Sequence, residues 1–182
     1  MESIIATIVT SALVSTVAGA AMNAWLEGRK SKSATRFDAL SAAVTLEGYA
    51  ITCADRISNH NLATSSAGHA GSYLAEVPDL PELPIVIGFL RPQRASVANK
   101  LMIFPQESRQ ADQAVAFWWD ATGDIDQVRE VAVAEAAKIG LKALIIAVEL
   151  RKAFKLPERN LIFGKYNVRK TLQENLMNEA NA

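Results

Sequence analysis

The run Ser3–Leu26, SIIATIVTSALVSTVAGAAMNAWL, carries no charged residue, and Arg29, Lys30, Lys32 and Arg36 follow it directly. A hydrocarbon core about 30 Å thick takes roughly 20 apolar residues at 1.5 Å each. In lipid the backbone has to satisfy its own hydrogen bonds, so a lone span has to be helical. Residues 3–27 are therefore read as a single transmembrane helix, with Trp25 at headgroup level. A cleaved signal peptide wants a basic stretch before its apolar run, and only Met1, Glu2 and Ser3 precede this one. A buried helix of a soluble bundle or a filament is the other competitor, but such a helix shows a polar face. This one offers only Ser, Thr and Asn.

The span is weakly apolar. Ile4, Ile5, Ile8, Val9, Leu13, Val14, Val17 and Leu26 have to offset six Ser/Thr side chains and Asn23, at about −0.3 to −0.6 kcal/mol per strongly apolar residue. Ile5, Val9, Leu13 and Val17 form a bulky ridge, and Ser11, Ser15 and Gly19 form a small-residue ridge. Small residues four apart let two helices approach backbone to backbone. The span is thus expected to pack against a transmembrane helix of a partner or of its own copy.

Charge sets the orientation. Glu27–Arg36 holds four bases against one acid, and basic flanks stay cytoplasmic. The expected topology is single-pass in the plasma (inner) membrane, with the N-terminus outside. Residues 28–35 read as a basic juxtamembrane joint and residues 36–182 as a cytoplasmic helical bundle. The fold class is all-α: one N-terminal transmembrane helix, then a small bundle of four to five helices. Sparse glycine and proline suit it (9 and 6 of 182 residues). The lone Cys53 excludes an internal disulfide.

Within the bundle, Ala39, Leu40, Ala43, Val44, Leu46, Ala50, Ile51, Ala54 and Ile57 share one face of a helix over Arg36–Asn61. Glu47 falls inside that apolar arc. A carboxylate there is paired with a base from another helix or serves as a functional acid. Asn59–Gly71 reads as a fraying end and a loop. Residues 72–94 read as an extended connector, because Pro78, Pro81 and Pro84 recur at the three-residue turn of polyproline II. Leu80 and Leu83 are expected to tuck into the core. PxxP docking on a partner is the alternative. Ile85–Leu90 is the one strand-like run, and it has no partner strand.

Ser96 is expected to cap a short helix to Ile103, and Pro105 to open a new helix ending at Thr122 before Gly123. Of the adjacent Trp118 and Trp119, one is expected in the core and one near its rim. Asp124 with Gln127 forms a capping box for the strongest helix, Ile125–Phe154. Its stripe is Val128, Ala132, Ala136, Ile139, Ala143, Ile146 and Leu150, widened by Leu141, Leu144, Ile145 and Val148. A helix that apolar is central to the bundle or covered by a partner. Pro157 ends it, and a last helix is expected over Tyr166–Met177.

No phosphate-binding glycine motif occurs. Cys53, His60 and His69 show no metal-ligand spacing, and nothing orients Cys53 and a histidine as a nucleophile pair. No catalytic, cofactor-binding or metal-binding residue is assigned, and no cofactor. Residues 107–135 hold seven acids and two bases, whereas 151–170 hold seven bases and one acid. With an anchor upstream, the basic segment suits an anionic membrane surface better than nucleic acid, at about 1 kcal/mol per base. The membrane-surface bases are then Arg29, Lys30, Lys32, Arg36, Lys155, Arg159, Lys165, Arg169 and Lys170. The expected partners are the lipid bilayer and a transmembrane helix, without nucleic acid or metal. The expected role is a non-catalytic accessory or scaffold subunit of a membrane complex. The alternative is a membrane-tethered regulatory or sensor domain that binds a ligand between its helices. An enzyme using Glu47 or Cys53 is the third class.

Overall fold

The computed structural model describes the backbone of residues 2–84 and 94–179, and the side chains of 32–84 and 94–177. Four helices carry the described chain: α1 (Glu2–Ser65), α2 (Ala95–Thr122), α3 (Ile125–Phe154) and α4 (Val168–Glu179). A two-residue hairpin, β1 (Ile162–Phe163) with β2 (Tyr166–Asn167), precedes α4. The chain divides into two compact units, residues 1–37 and residues 38–182. The first is helical backbone throughout its described length. The second is a small helical bundle.

α1 does not break at the basic joint expected over 28–35. One glycine in a helix interior costs about 1 kcal/mol, and the Lys, Arg and Ala that follow Gly28 are good helix formers. Among the described residues no helix is long and apolar enough to cross a membrane. The side chains of the span expected over 3–27, and of Arg29 and Lys30, lie outside the described residues.

In the bundle unit α1 buries Ala39, Ala42, Ala43, Leu46, Tyr49, Ala50, Cys53, Ala54 and Ile57. Val44, expected inside, is exposed, while Tyr49 and Cys53 take core positions on the same stripe. The Tyr49 hydroxyl donates to the Pro78 carbonyl at 3.0 Å and shares a 3.2 Å hydrogen bond with Ser108, so its polar tip is satisfied inside. His60 Nδ1 accepts the Leu74 amide at 3.1 Å. Together these bonds lay residues 72–84 over the core, with Leu74 and Val77 buried and Leu80 and Leu83 packed against it. Gly71 admits no side chain: a Cβ there would lie 2.3 Å from the Asn59 carbonyl oxygen. The strand-like run Ile85–Leu90 lies outside the described residues.

α2 is one helix where two were expected, and Pro105 sits inside it. Its buried residues are Val97, Ala98, Leu101, Phe104, Ser108, Ala111 and Val115. That stripe keeps helical phase straight through the proline, so continuous packing outweighs the lost backbone bond, a penalty of about 3 kcal/mol. Ser96 is not the cap; Arg94 holds that position without a side-chain bond. Gly123, left-handed at φ 62°, closes α2 through its amide to the Trp119 carbonyl.

Asp124 caps α3 by accepting the Asp126 amide at 2.9 Å. All seven positions of the expected α3 stripe are buried. α3 ends at Phe154, where Lys155 turns left-handed and the Leu156 amide returns to the Arg151 carbonyl at 2.8 Å. α3 runs antiparallel to α2, as the ion pairs Lys100–Glu149 and Glu107–Lys142 require. It is also antiparallel to α1, since Glu47 meets Arg151 near one end and Cys53 meets Gly140 midway. Gly140 lets three elements close: an added Cβ would lie 2.9 Å from Leu172 of α4 and 3.0 Å from Cys53 of α1. Val168 and Leu172 seat α4 in that core.

Phe117, Trp118 and Trp119 are all exposed, which corrects the expectation of an indole in the core. They lie past Val115, the last buried residue of α2.

Candidate functional site

The basic end of the bundle is built on one buried carboxylate. Glu47 faces the core because it lies between Ala43 and Ala50 on the buried stripe of α1, and its side chain is 4% exposed. Arg151 is in phase with Ala147 and Leu150 on α3, so it faces the same interior. Its Nε and Nη2 donate to the two Glu47 oxygens at 2.6 and 2.9 Å, and its Nη1 donates to the Pro157 carbonyl at 2.6 Å. The Glu47 hydrogen bonds, ahead of its charge, hold the Arg151 guanidinium above its ordinary pKa, against a smaller opposing effect of burial. Arg159 Nη1 adds a third donor to Glu47 at 3.1 Å. Glu47 is thus held by two bases after α3 has begun to end, and the Arg151–Pro157 bond fixes the chain that leads from one to the other.

Outside this triad lies an open cavity of about 200 Å³. Glu47 and Arg159 form part of its floor; Leu144, Val148, Leu161 and Ile162 give apolar walls; Asn160, Asn167 and Arg169 add polar groups. Asn167 is oriented by its own role as the cap of α4, accepting the Lys170 amide at 3.1 Å. The hairpin pairs Ile162 with Asn167 and Phe163 with Tyr166, and the Val168 amide closes it on the Leu161 carbonyl at 3.2 Å. The Tyr166 hydroxyl donates to Asp55 of α1 at 2.9 Å, which ties the hairpin to the bundle. Ile162 and Phe163 themselves are about half exposed. Three guanidinium groups against one carboxylate leave the site net positive, and the chemistry it offers is anion binding beside an apolar wall.

The structure separates the expected membrane-surface bases. It brings Arg159 and Arg169 together on the cavity, with Lys165 in the adjoining hairpin turn. Lys170 points along α4 to Glu174 at 3.5 Å, and Lys155 is the exposed cap of α3. Lys32 and Arg36 are exposed in the first unit. Ser11, Ser15 and Gly19 lie outside the residues with described side chains. Sequence reasoning singled out Glu47 but missed Arg151, Asn160 and Asn167. The phase of Arg151 with Ala147 and Leu150 was the available signal.

The other polar candidates are absorbed by packing. Cys53 is fully buried, and burial pushes its thiol up to about 12. Burial, with a smaller contribution from Arg129, holds the His60 pKa below its ordinary value. Among the described residues no group of three His, Cys, Asp or Glu side chains is placed to hold a metal ion. The fold and site together define a small helical bundle with a basic, anion-competent end. Comparison of the chain with protein-family models, with curated proteins and with solved structures returns no match.

Proposed function

We propose that this chain is a non-catalytic accessory or scaffold subunit of a membrane protein complex. In this reading one helix over residues 3–27 anchors it in the plasma (inner) membrane and the bundle lies on the cytoplasmic side. The observation that carries the reading is the uncharged run Ser3–Leu26 followed at once by four bases. Ser11, Ser15 and Gly19 pack that helix on a partner's or on a second copy's.

Two features of the bundle support it. Arg151 and Arg159 meet on Glu47 near the end of the unit that holds the first turns of α1 after Asp38, with Arg169 on the adjoining cavity, and that end suits an anionic leaflet. At the opposite end of α2, Phe117, Trp118 and Trp119 are 65%, 40% and 51% exposed among acidic residues. Aromatic groups left open in this way are the compositional mark of protein interfaces. The cavity beside Glu47 favours the second reading, a tethered sensor domain, and that reading gains if a small soluble anion raises the melting temperature.

Single-cysteine labelling tests the anchor. Ser3→Cys should react with an impermeant maleimide from outside intact cells, and Ser31→Cys only after the membrane is opened. Cys53, buried, leaves the background low. Equal reaction at both sites in intact cells contradicts the topology. Mild detergent extraction followed by mass spectrometry then identifies the partners.

A further inference from the structure

We propose that the cavity beside Glu47 receives the phosphate of an anionic lipid headgroup, held by Arg159 and Arg169, while the Ile162–Phe163 strand seats in the bilayer surface next to it. It rests on the anchored reading, which puts the chain beside a bilayer.

Four observations converge. The cavity, about 200 Å³, has room for a phosphate with some of its water, at about 30 Å³ per water. Arg159 and Arg169 both line it, and guanidinium forks match phosphate oxygens in pairs. Arg169 has no ion pair among the described residues, and Arg159 offers its remaining N–H groups after its one bond to Glu47. The Glu47–Arg151 bond leaves Arg159 an auxiliary partner, so it can turn toward a ligand without stranding the buried carboxylate.

The second component is the hairpin. Ile162 and Phe163 lie side by side on a two-residue strand at 49% and 51% exposure. Gly164, left-handed at φ 61°, makes the turn, and Lys165 follows it. Apolar side chains at a turn that carries Lys165, with Arg169 on the cavity beside it, have the chemistry of an element that lies in the headgroup layer. A free phosphate would fill the cavity but leave the hairpin uncovered, and for that reason the lipid is the favoured source.

The test uses the full chain with Lys165→Cys carrying an environment-sensitive fluorophore; buried Cys53 stays unlabelled. A second probe at Gln113→Cys, exposed on the middle of α2, is the control. In nanodiscs containing phosphatidylglycerol, the probe at 165 should shift to the blue and be quenched by a lipid-borne quencher. In phosphatidylcholine alone the shift should be absent, and the probe at 113 should stay unquenched in both. Arg169→Glu should weaken the effect by roughly tenfold or more, since about a fivefold loss is expected for each base removed. Phe163→Ser should abolish the blue shift, and both variants should keep the parent melting temperature because both side chains are exposed.

No quenching at 165 in phosphatidylglycerol discs that hold the chain overturns the proposal while leaving the anchor intact. A chain that stays outside the discs contradicts the anchor instead, and the same probe with added phosphatidylglycerol vesicles then decides the hairpin. A shift caused equally by inorganic phosphate without lipid makes the occupant a free anion and overturns the lipid assignment.

Discussion

Glu47 and Arg151, 104 residues apart in sequence, meet through two hydrogen bonds of 2.6 and 2.9 Å with side chains only 4% and 8% exposed. Breaking one partner of such a pair strands a buried charge, which costs about 3–5 kcal/mol. Arg151→Met and Glu47→Leu should each destabilise the bundle by that amount in urea unfolding. The double variant should recover most of the loss, because an apolar pair of similar volume is often neutral or better. Additive losses in the double-mutant cycle would mean that the two side chains act independently.

Gly140 sets how closely α3 approaches α1 and α4. Gly140→Ala should destabilise by about 1–3 kcal/mol through overpacking, since its Cβ would meet Leu172 at 2.9 Å and Cys53 at 3.0 Å. Leu172→Ala removes one of the two obstacles, so the combined variant should lose less than the sum of the singles. Thermal unfolding of the four proteins measures the coupling.

Pro105 interrupts the backbone ladder of α2 without ending the helix. Pro105→Ala should therefore stabilise the protein by about 1–3 kcal/mol, read as a rise in urea midpoint at unchanged slope. A loss of stability would show that the ring's own packing matters more than the missing N–H.

His60 gives the bundle a pH dependence of known sign. Its pKa is lowered from 6.5, first by burial and then by Arg129, and its Nδ1 has to be unprotonated to accept the Leu74 amide. As the pH falls, the unfolded chain takes up the proton first, at about 6.5. The stability contributed by neutral His60 is thus present above that value and is lost as the pH falls toward the folded one. His60→Gln should flatten this part of the stability–pH curve, and a histidine titration by NMR should place His60 below 6.5.

Much of the bundle is readable in the sequence. α3 announces itself by an unbroken stripe from Val128 to Leu150, with Asp124 as cap and Pro157 beyond its end. The buried pairing of Glu47 with a base was expected from its place among apolar residues, but the base was not identified. Arg151 stands in a charge run that composition alone does not resolve into buried and exposed members, whereas its helical phase puts it inside. Pro105 and Gly28 misled for a shared reason: a local penalty of a few kcal/mol or less is overridden where the surrounding residues sustain the helix. The hairpin at Ile162–Asn167 is too short for alternation to register, so the cavity it shapes was not foreseen.

We propose that residues 3–27 hold this protein in a lipid bilayer. Alkaline carbonate extraction of membranes from cells making the full chain tests it most directly, since it strips peripheral proteins and leaves integral ones. A chain anchored in this way stays in the membrane pellet and is released only by detergent. Recovery of the full-length chain in the carbonate supernatant would contradict it.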